Sequence, residues 1–176
     1  NQEAKTEIKA FNSEDVFTTP KPERLIQRIL TLATNSGDWV LDSFLGSGTT
    51  AAVAHKMGRR WIGIELGEHC HTHCLPRLKK VVDGTDEGGI SKAVNWQGGG
   101  GFKYYYLAPS LLKKDEHGNW IIDERYNADM LAVAMAKHEG FRYCPDEHVY
   151  WKQGRSTEKD YIFITTQFVT VQFLDK

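Results

Sequence analysis

Val40-Leu41-Asp42-Ser43-Phe44-Leu45-Gly46-Ser47-Gly48-Thr49-Thr50 is a short apolar run that ends in an acid, turns over two glycines and opens an Ala-rich stretch. The run reads as a buried strand, and Thr49 to Met57 as a helix that stops at Gly58. A second strand, Trp61 to Glu65, follows at once. Strand, tight loop, helix and strand make the first half of a doubly wound α/β fold, in which ligands bind beyond the carboxyl ends of the strands.

Working outward, Pro20 and Pro22 halt any earlier helix, and Pro22 is placed to open one running to about Ala33. Its apolar positions Leu25, Ile26, Ile29, Leu30 and Ala33 recur at helical spacing, which leaves Glu23, Arg24, Gln27 and Arg28 mainly on the solvated side. Residues 1–16 are polar and read as a lead-in arm. His69 to Val82 reads as a further helix, kinked or split at Pro76. The turn-rich run from Asp83 to Gly89 is the expected domain boundary.

Beyond it, Phe102 to Leu107 is expected to form an aromatic strand entered from four glycines. Asp115 to Gly118 reads as a polar turn, Trp120 to Ile122 as a strand, and Asn127 to His138 as a capped helix stopped by Gly140. Val149 to Lys152 and Tyr161 to Phe173 read as closing strands. The expected organisation is a lead-in arm (1–16), a binding half (17–83), and a continuation of the sheet with a smaller α+β appendage (84–176).

The chain has 176 residues, a formal net charge of -1 and three cysteines. That length holds one domain, or one domain with an appendage, and the charge balance carries no electrostatic footprint of nucleic-acid binding. Cys70, Cys74 and Cys144 fit reduced thiols in a cytoplasmic protein. No run is apolar enough to span a bilayer and no signal segment opens the chain, so no membrane association is expected.

Gly46-Ser47-Gly48-Thr49-Thr50-Ala51 matches the G-x-G-x-x-A form of a dinucleotide fingerprint, with Glu65 roughly 20 residues on. Asp42 argues against that ligand, because a carboxylate at the strand end would repel a pyrophosphate seated at the helix N-terminus. S-adenosylmethionine has no phosphate, and its ammonium can pair with Asp42. Glu65 can accept hydrogen bonds from both ribose hydroxyls, while Gly46 and Gly48 admit a close backbone approach. A P-loop is excluded, since no G-K-[ST] occurs in the turn.

Thr18-Thr19-Pro20-Lys21-Pro22-Glu23, then Asp42 to Thr49, then Gly63-Ile64-Glu65, resemble the carboxyl-terminal half of amino-group DNA methyltransferases. The similarity is greatest to the modification subunit of type III restriction-modification systems, which methylate adenine at N6. It covers Phe17 to about Leu107. The resemblance implies a partial doubly wound, Rossmann-like S-adenosylmethionine-dependent methyltransferase fold with a smaller α+β carboxyl-terminal appendage.

It further implies that Thr18, Thr19, Lys21 and Pro22 lie near the methionine end of the cofactor, that Asp42, Phe44, Gly46, Gly48 and Thr49 wrap it, and that Glu65 takes the ribose. Ser43 departs from the proline common there. The implied partners are double-stranded DNA, a restriction subunit and a second copy of the subunit. The family's catalytic [DNS]-P-P-[YFW] motif, which holds a flipped adenine, has no counterpart, because the sequence contains no Pro-Pro dipeptide. No catalytic residue is therefore assigned. With Asn1 rather than methionine at its start, the chain is expected to be the cofactor-binding part of a longer enzyme, inactive alone. The competing readings are a dinucleotide-binding module and a non-catalytic nucleic-acid or subunit-interaction domain.

Two further clusters have simpler readings. Cys70, His69, His73 and Cys74 do not converge on a straight α-helix, so core cysteines beside a solvated histidine face are expected in place of a metal site. Lys56, Arg59, Arg60, Arg77, Lys79 and Lys80 are expected to be solvated helix ends.

Overall fold

The computed structural model describes residues 2–9 and 19–174. The chain forms two compact units, Asn1–Lys103 and Tyr104–Lys176.

The first unit opens with helix α1 (Gln2–Lys9), whose Ala4 and Ile8 are buried. Its residues were expected to belong to an irregular arm; a single apolar face around Ala4 and Ile8 is enough to seat them as a helix. Helix α2 (Glu23–Ala33) starts directly after Pro22, whose extended backbone presets the entry. Strand β1 (Trp39–Asp42) and strand β2 (Arg60–Gly63) pair in parallel, Val40 opposite Trp61 and Asp42 opposite Gly63. Helix α3 (Thr49–Lys56) makes the crossover between them. Parallel neighbours need such a crossover, and α3 is suited to a central place because Ala51, Ala52, Val53 and Ala54 are buried all round it.

Side chains alternate across the strand pair. Val40 and Trp61 turn towards α3 and join Leu30, Val53, Ala54 and Ile90 in one apolar cluster. Leu45, Ala51, Cys74 and Leu78 form a second cluster, with Trp61 and Phe102 against it. On the opposite face Trp39, Leu41, Ile62 and Ile64 are exposed, as are Leu25, Ile29 and Leu32 of α2.

A π-helical turn over Cys70–Cys74 passes into helix α4 (Leu75–Asp83), with Pro76 in its first turn. The helix is thus split beside the proline, which lacks the N–H that a continuous ladder requires. Gly84, at φ +74, ends α4.

The chain does not leave the unit there, although a boundary was expected at Asp83. Trp96 Nε1 donates to Val81 O at 2.7 Å and Gly99 N to Val82 O at 2.8 Å, while the Phe102 ring lies 6.0 Å from Trp61. A Cβ on Gly84 would come within 2.6 Å of Gln97 O, so the returning segment is packed on the helix end. Consequently the expected aromatic strand is absent from the described structure: Phe102 packs in the first unit and Tyr104–Tyr106 are exposed in the second. The sheet containing β1 and β2 gains no strand from the described residues after 83.

The second unit begins with an antiparallel hairpin, strands β3 (Leu112–Lys114) and β4 (Trp120–Ile122). The Asp115 carboxylate accepts N–H bonds from His117 and Asn119 and shapes its turn. Helix α5 (Ala128–His138) is capped by Asn127, whose side chain accepts from Met130 N at 2.8 Å. Strands β5 (Arg142–Tyr143), β6 (Gly154–Arg155) and β7 (Tyr161–Ile162) form a small antiparallel sheet, followed by helix α6 (Val171–Leu174). The strand expected at Val149–Lys152 is a turn, because Asp146 accepts from His148 N and Val149 N. The long closing strand is confined to two residues. Among the described residues no helix is long and apolar enough to cross a membrane.

Candidate functional site

Beyond the carboxyl ends of β1 and β2, Ile64 N donates to Asp42 O at 2.9 Å and Leu45 N to Ile64 O at 3.0 Å. These bonds seat the glycine turn on the strand ends. Gly46 and Gly48 have φ +59 and +80, a left-handed geometry that disfavours any Cβ. The Asp42 carboxylate is half-buried; Oδ1 accepts from Phe44 N at 3.1 Å, and Oδ2 makes no hydrogen bond among the described residues. Phe44 is 89% exposed.

Glu65 ties the second strand end to the same turn. Its Oε2 accepts from Gly46 N at 2.7 Å, and Oε1 accepts from Leu66 N, Gly67 N and the His69 ring. Burial works against its ionisation, yet the N–H groups of Gly67 and Gly46, then His69, outweigh it and bring the carboxyl from 4.5 down to about 2. Glu65 is therefore held as an acceptor-only carboxylate, and Oε2 retains room for a further donor.

The glycines serve a second need. A Cβ on Gly48 would lie 3.3 Å from Cys74 Cα, so Gly48 admits the π-helical turn against the loop. Cys74 Sγ donates to Gly46 O at 2.9 Å. Burial, then the neighbouring Cys70 and Glu65, push the Cys74 thiol up to about 12, which leaves it unreactive at neutral pH.

Beneath the turn lies a buried ionic cluster. Glu23 and Arg77 are each 1% exposed, and Lys56 is buried with them. Glu23 Oε1 accepts from an Arg77 guanidinium nitrogen at 2.8 Å, while Oε2 accepts from Lys56 Nζ at 2.8 Å and Ile90 N at 3.0 Å. Lys56 Nζ also lies 2.6 Å from Asp86 Oδ2. The other terminal guanidinium nitrogen of Arg77 donates to Thr49 Oγ1 at 2.8 Å. Glu7 accepts from Glu23 N at 3.1 Å. Burial opposes the charge on Glu23, but Arg77 and Lys56 hold its carboxyl below the ordinary range; burial raises Glu7, and neither the N–H bond from Glu23 nor Arg77 at 3.8 Å offsets it.

The structure thus brings Asp42, Phe44, Gly46, Gly48, Thr49 and Glu65 together at the strand ends. Thr49 is buried, its hydroxyl engaged by Arg77. Thr19 and Lys21 are exposed and Pro22 is half-buried at the start of α2; Thr18 lies outside the described residues. Glu23, Lys56 and Arg77 were expected on solvated faces and are instead the centre of the unit. Helical spacing assigns a side chain to a face but not the cover over that face. The one signal for Glu23 was its place beside Pro22 in the T-P-K-P-E run.

The histidine face also differs from expectation, since His73 is buried. In the π-helical turn Leu75 N donates to Cys70 O, five residues back, which re-phases the side chains relative to an α-helix. Among the described residues no group of three or more His, Cys, Asp or Glu side chains is arranged to hold a metal ion.

Residues 1–74 match the N6/N4 methyltransferase family model, described as DNA methylase, and so bear out the resemblance carried by T-P-K-P-E and D-S-F-L-G-S-G-T. Among individual relatives, the chain is 63% identical over 89 residues to the "Probable type III restriction-modification enzyme HindVI Mod subunit" of Haemophilus influenzae, covering 51% of this chain and 12% of that protein. It is 61% identical over 44 residues to the type II methyltransferase M.BamHI of Bacillus amyloliquefaciens, covering 25% of this chain and 10% of that one. The chain therefore spans about an eighth or less of the length of these relatives. A crystal structure of an M1.HpyAVI–SAM complex is 34% identical, with a TM-score of 0.35 over 38% of this chain and 33% of that chain.

Proposed function

We propose that residues 17–83 are the S-adenosylmethionine-binding region of an adenine-N6 DNA methyltransferase of the type III restriction-modification class, built on one part of a doubly wound sheet. The observation that carries this reading is the pairing of two carboxylates, Asp42 and Glu65, at neighbouring parallel strand ends around a left-handed glycine turn. The similarity to a modification subunit supports the same assignment.

The residues fit the cofactor's chemistry. Asp42 Oδ2 is available to an ammonium, Glu65 Oε2 to a ribose hydroxyl, and the exposed Phe44 ring offers an apolar surface beside them. When bound, the cofactor supplies an electrophilic methyl group. This chain's part is to hold the donor, with Thr19, Lys21 and Pro22 at its methionine end. Positioning of this kind accounts for much of a methyl transfer rate. The motif that would hold the adenine is absent from the sequence, so the chain by itself is inactive. DNA, a restriction subunit and a second copy are the partners of the whole enzyme.

Calorimetry on the full chain tests the assignment. S-adenosylhomocysteine should bind, and Asp42→Ala should abolish that binding. A pyrophosphate cofactor binding in its place would establish the dinucleotide reading, and salt-sensitive DNA affinity with neither ligand would establish the interaction domain. Transfer of labelled methyl groups to DNA by the purified chain would overturn its inactivity.

A further inference from the structure

A continuous line of buried polar contacts leads from the first residue of α2 to the glycine turn. Glu23 Oε1 takes one terminal nitrogen of Arg77, the other donates to Thr49 Oγ1, and that hydroxyl lies 3.3 Å from Ser47 Oγ. Ser47, Thr49, Glu23 and Arg77 are all at least 95% shielded from solvent. Thr49 is the first residue of α3 and directly follows the left-handed Gly48. Its side chain therefore sits where the loop becomes helix.

We propose that Glu23 and Arg77 are positioning residues for the S-adenosylmethionine turn. Both are too deeply buried to touch a ligand. Glu23 orients the guanidinium, the guanidinium holds Thr49, and Thr49 sets the backbone between Gly46 and Thr50. This inference rests on the assignment of that turn as the cofactor site. An arginine suits the task because its planar fork donates from two separate nitrogens in fixed directions, whereas a lysine carries its three donors on a single nitrogen and cannot reproduce that fixed span between Glu23 and Thr49. Lys56 already balances Glu23 from the other side, so Arg77→Lys preserves the charges and removes the directed contact.

A purely structural role for the cluster makes a different prediction, and a double-mutant cycle separates the two. Arg77→Lys, Thr49→Val and the double variant are made in the full chain, with Thr49→Ser as the conservative control. Two quantities are read: calorimetric affinity for S-adenosylhomocysteine, and amide exchange at Gly48, Thr49 and Thr50 without ligand.

Each of Arg77→Lys and Thr49→Val should weaken binding on the order of ten-fold, the scale of one hydrogen bond to a charged group. Each should also speed exchange at the three amides. The double variant should be no worse than either single, because both break the same link, and Thr49→Ser, which keeps the hydroxyl, should lose less than Thr49→Val in both readouts. Additive effects, or unchanged exchange in Arg77→Lys, would overturn the inference. If the wild-type chain binds no S-adenosylhomocysteine, the assignment of the site fails. The exchange data then decide the positioning role alone: non-additive acceleration upholds it, and unaltered protection refutes it. Should Arg77→Lys fail to fold, the contrast between Thr49→Val and Thr49→Ser carries the test.

Discussion

The two units use the same pairing chemistry in opposite surroundings. In Asn1–Lys103, Glu23, Lys56 and Arg77 sit at the centre, each almost wholly shielded. In Tyr104–Lys176, Arg125 closes on a shielded Asp123 with its own side chain 67% exposed, so that the cation stays in water, and Lys113 meets Glu124 at the surface. The apolar material differs in parallel: two large-residue clusters in the first unit, and only Ala132 and Ala136 as buried apolar residues among those described in the second. The difference teaches where a charge becomes structural. A solvated pair can be broken and rehydrated, while a buried one leaves its partner stranded.

The largest expected effect follows directly. Glu23→Ala leaves two buried cations without their shared carboxylate and should cost about 3–5 kcal/mol, seen as a lower urea midpoint for the transition reported by Trp61 and Trp96. Hydrogen exchange in α5 should be unaltered. Equal loss of protection in both units would break the comparison by showing that they unfold together.

A smaller effect concerns acid. Glu65 has a folded value of about 2 against an ordinary 4.5, so its contribution is fully present above about pH 4.5 and is lost as pH falls towards 2. Asp115 and Asp146 of the second unit are also lowered by backbone N–H groups, from an ordinary 3.8, and their contributions fade below that value. Urea midpoints measured across this range should therefore fall in both units. Glu65→Gln should flatten the slope for the first unit between pH 4.5 and 2 without altering the second. An unchanged slope would show that the four hydrogen bonds to Glu65 do not set its ionisation.

The smallest effect sharpens the picture of the second unit. Asn127→Ala removes the cap of α5 and should destabilise it by about 1 kcal/mol, measurable as faster exchange in the first turn of that helix. A loss as large as that from Glu23→Ala would mean that the second unit depends on this one cap far more than its exposed surface suggests.

Much of the site was legible in the residues themselves. Asp42, two glycines and Thr49 specify strand, left-handed turn and helix start within a single short stretch, and Gly58 and Gly140 follow their helices as expected, both with positive φ. Pro76 marked the split in the helix after Gly67. Less legible were segments whose conformation depends on distant contacts. The run from Gly84 to Phe102 carries turn signals, yet Glu23, Val81 and Trp61 draw it back into the first unit. The aromatic run after it has strong strand propensity but no strand partner among the described residues.

The sequence by itself determined the β1–α3–β2 unit, the handed turn with a carboxylate at each strand end, and the capped helix α5. Each depends on backbone preferences set by residues a few positions apart. Only the tertiary structure decided that Glu23, Lys56 and Arg77 leave the solvent, that Gly48 clears space for Cys74, and that Thr49 faces a guanidinium. Burying a charge is favourable only where opposite charges and donors arrive from elsewhere in the chain. Here they come from residues 56, 77 and 90, and no local pattern around Glu23 announces their arrival.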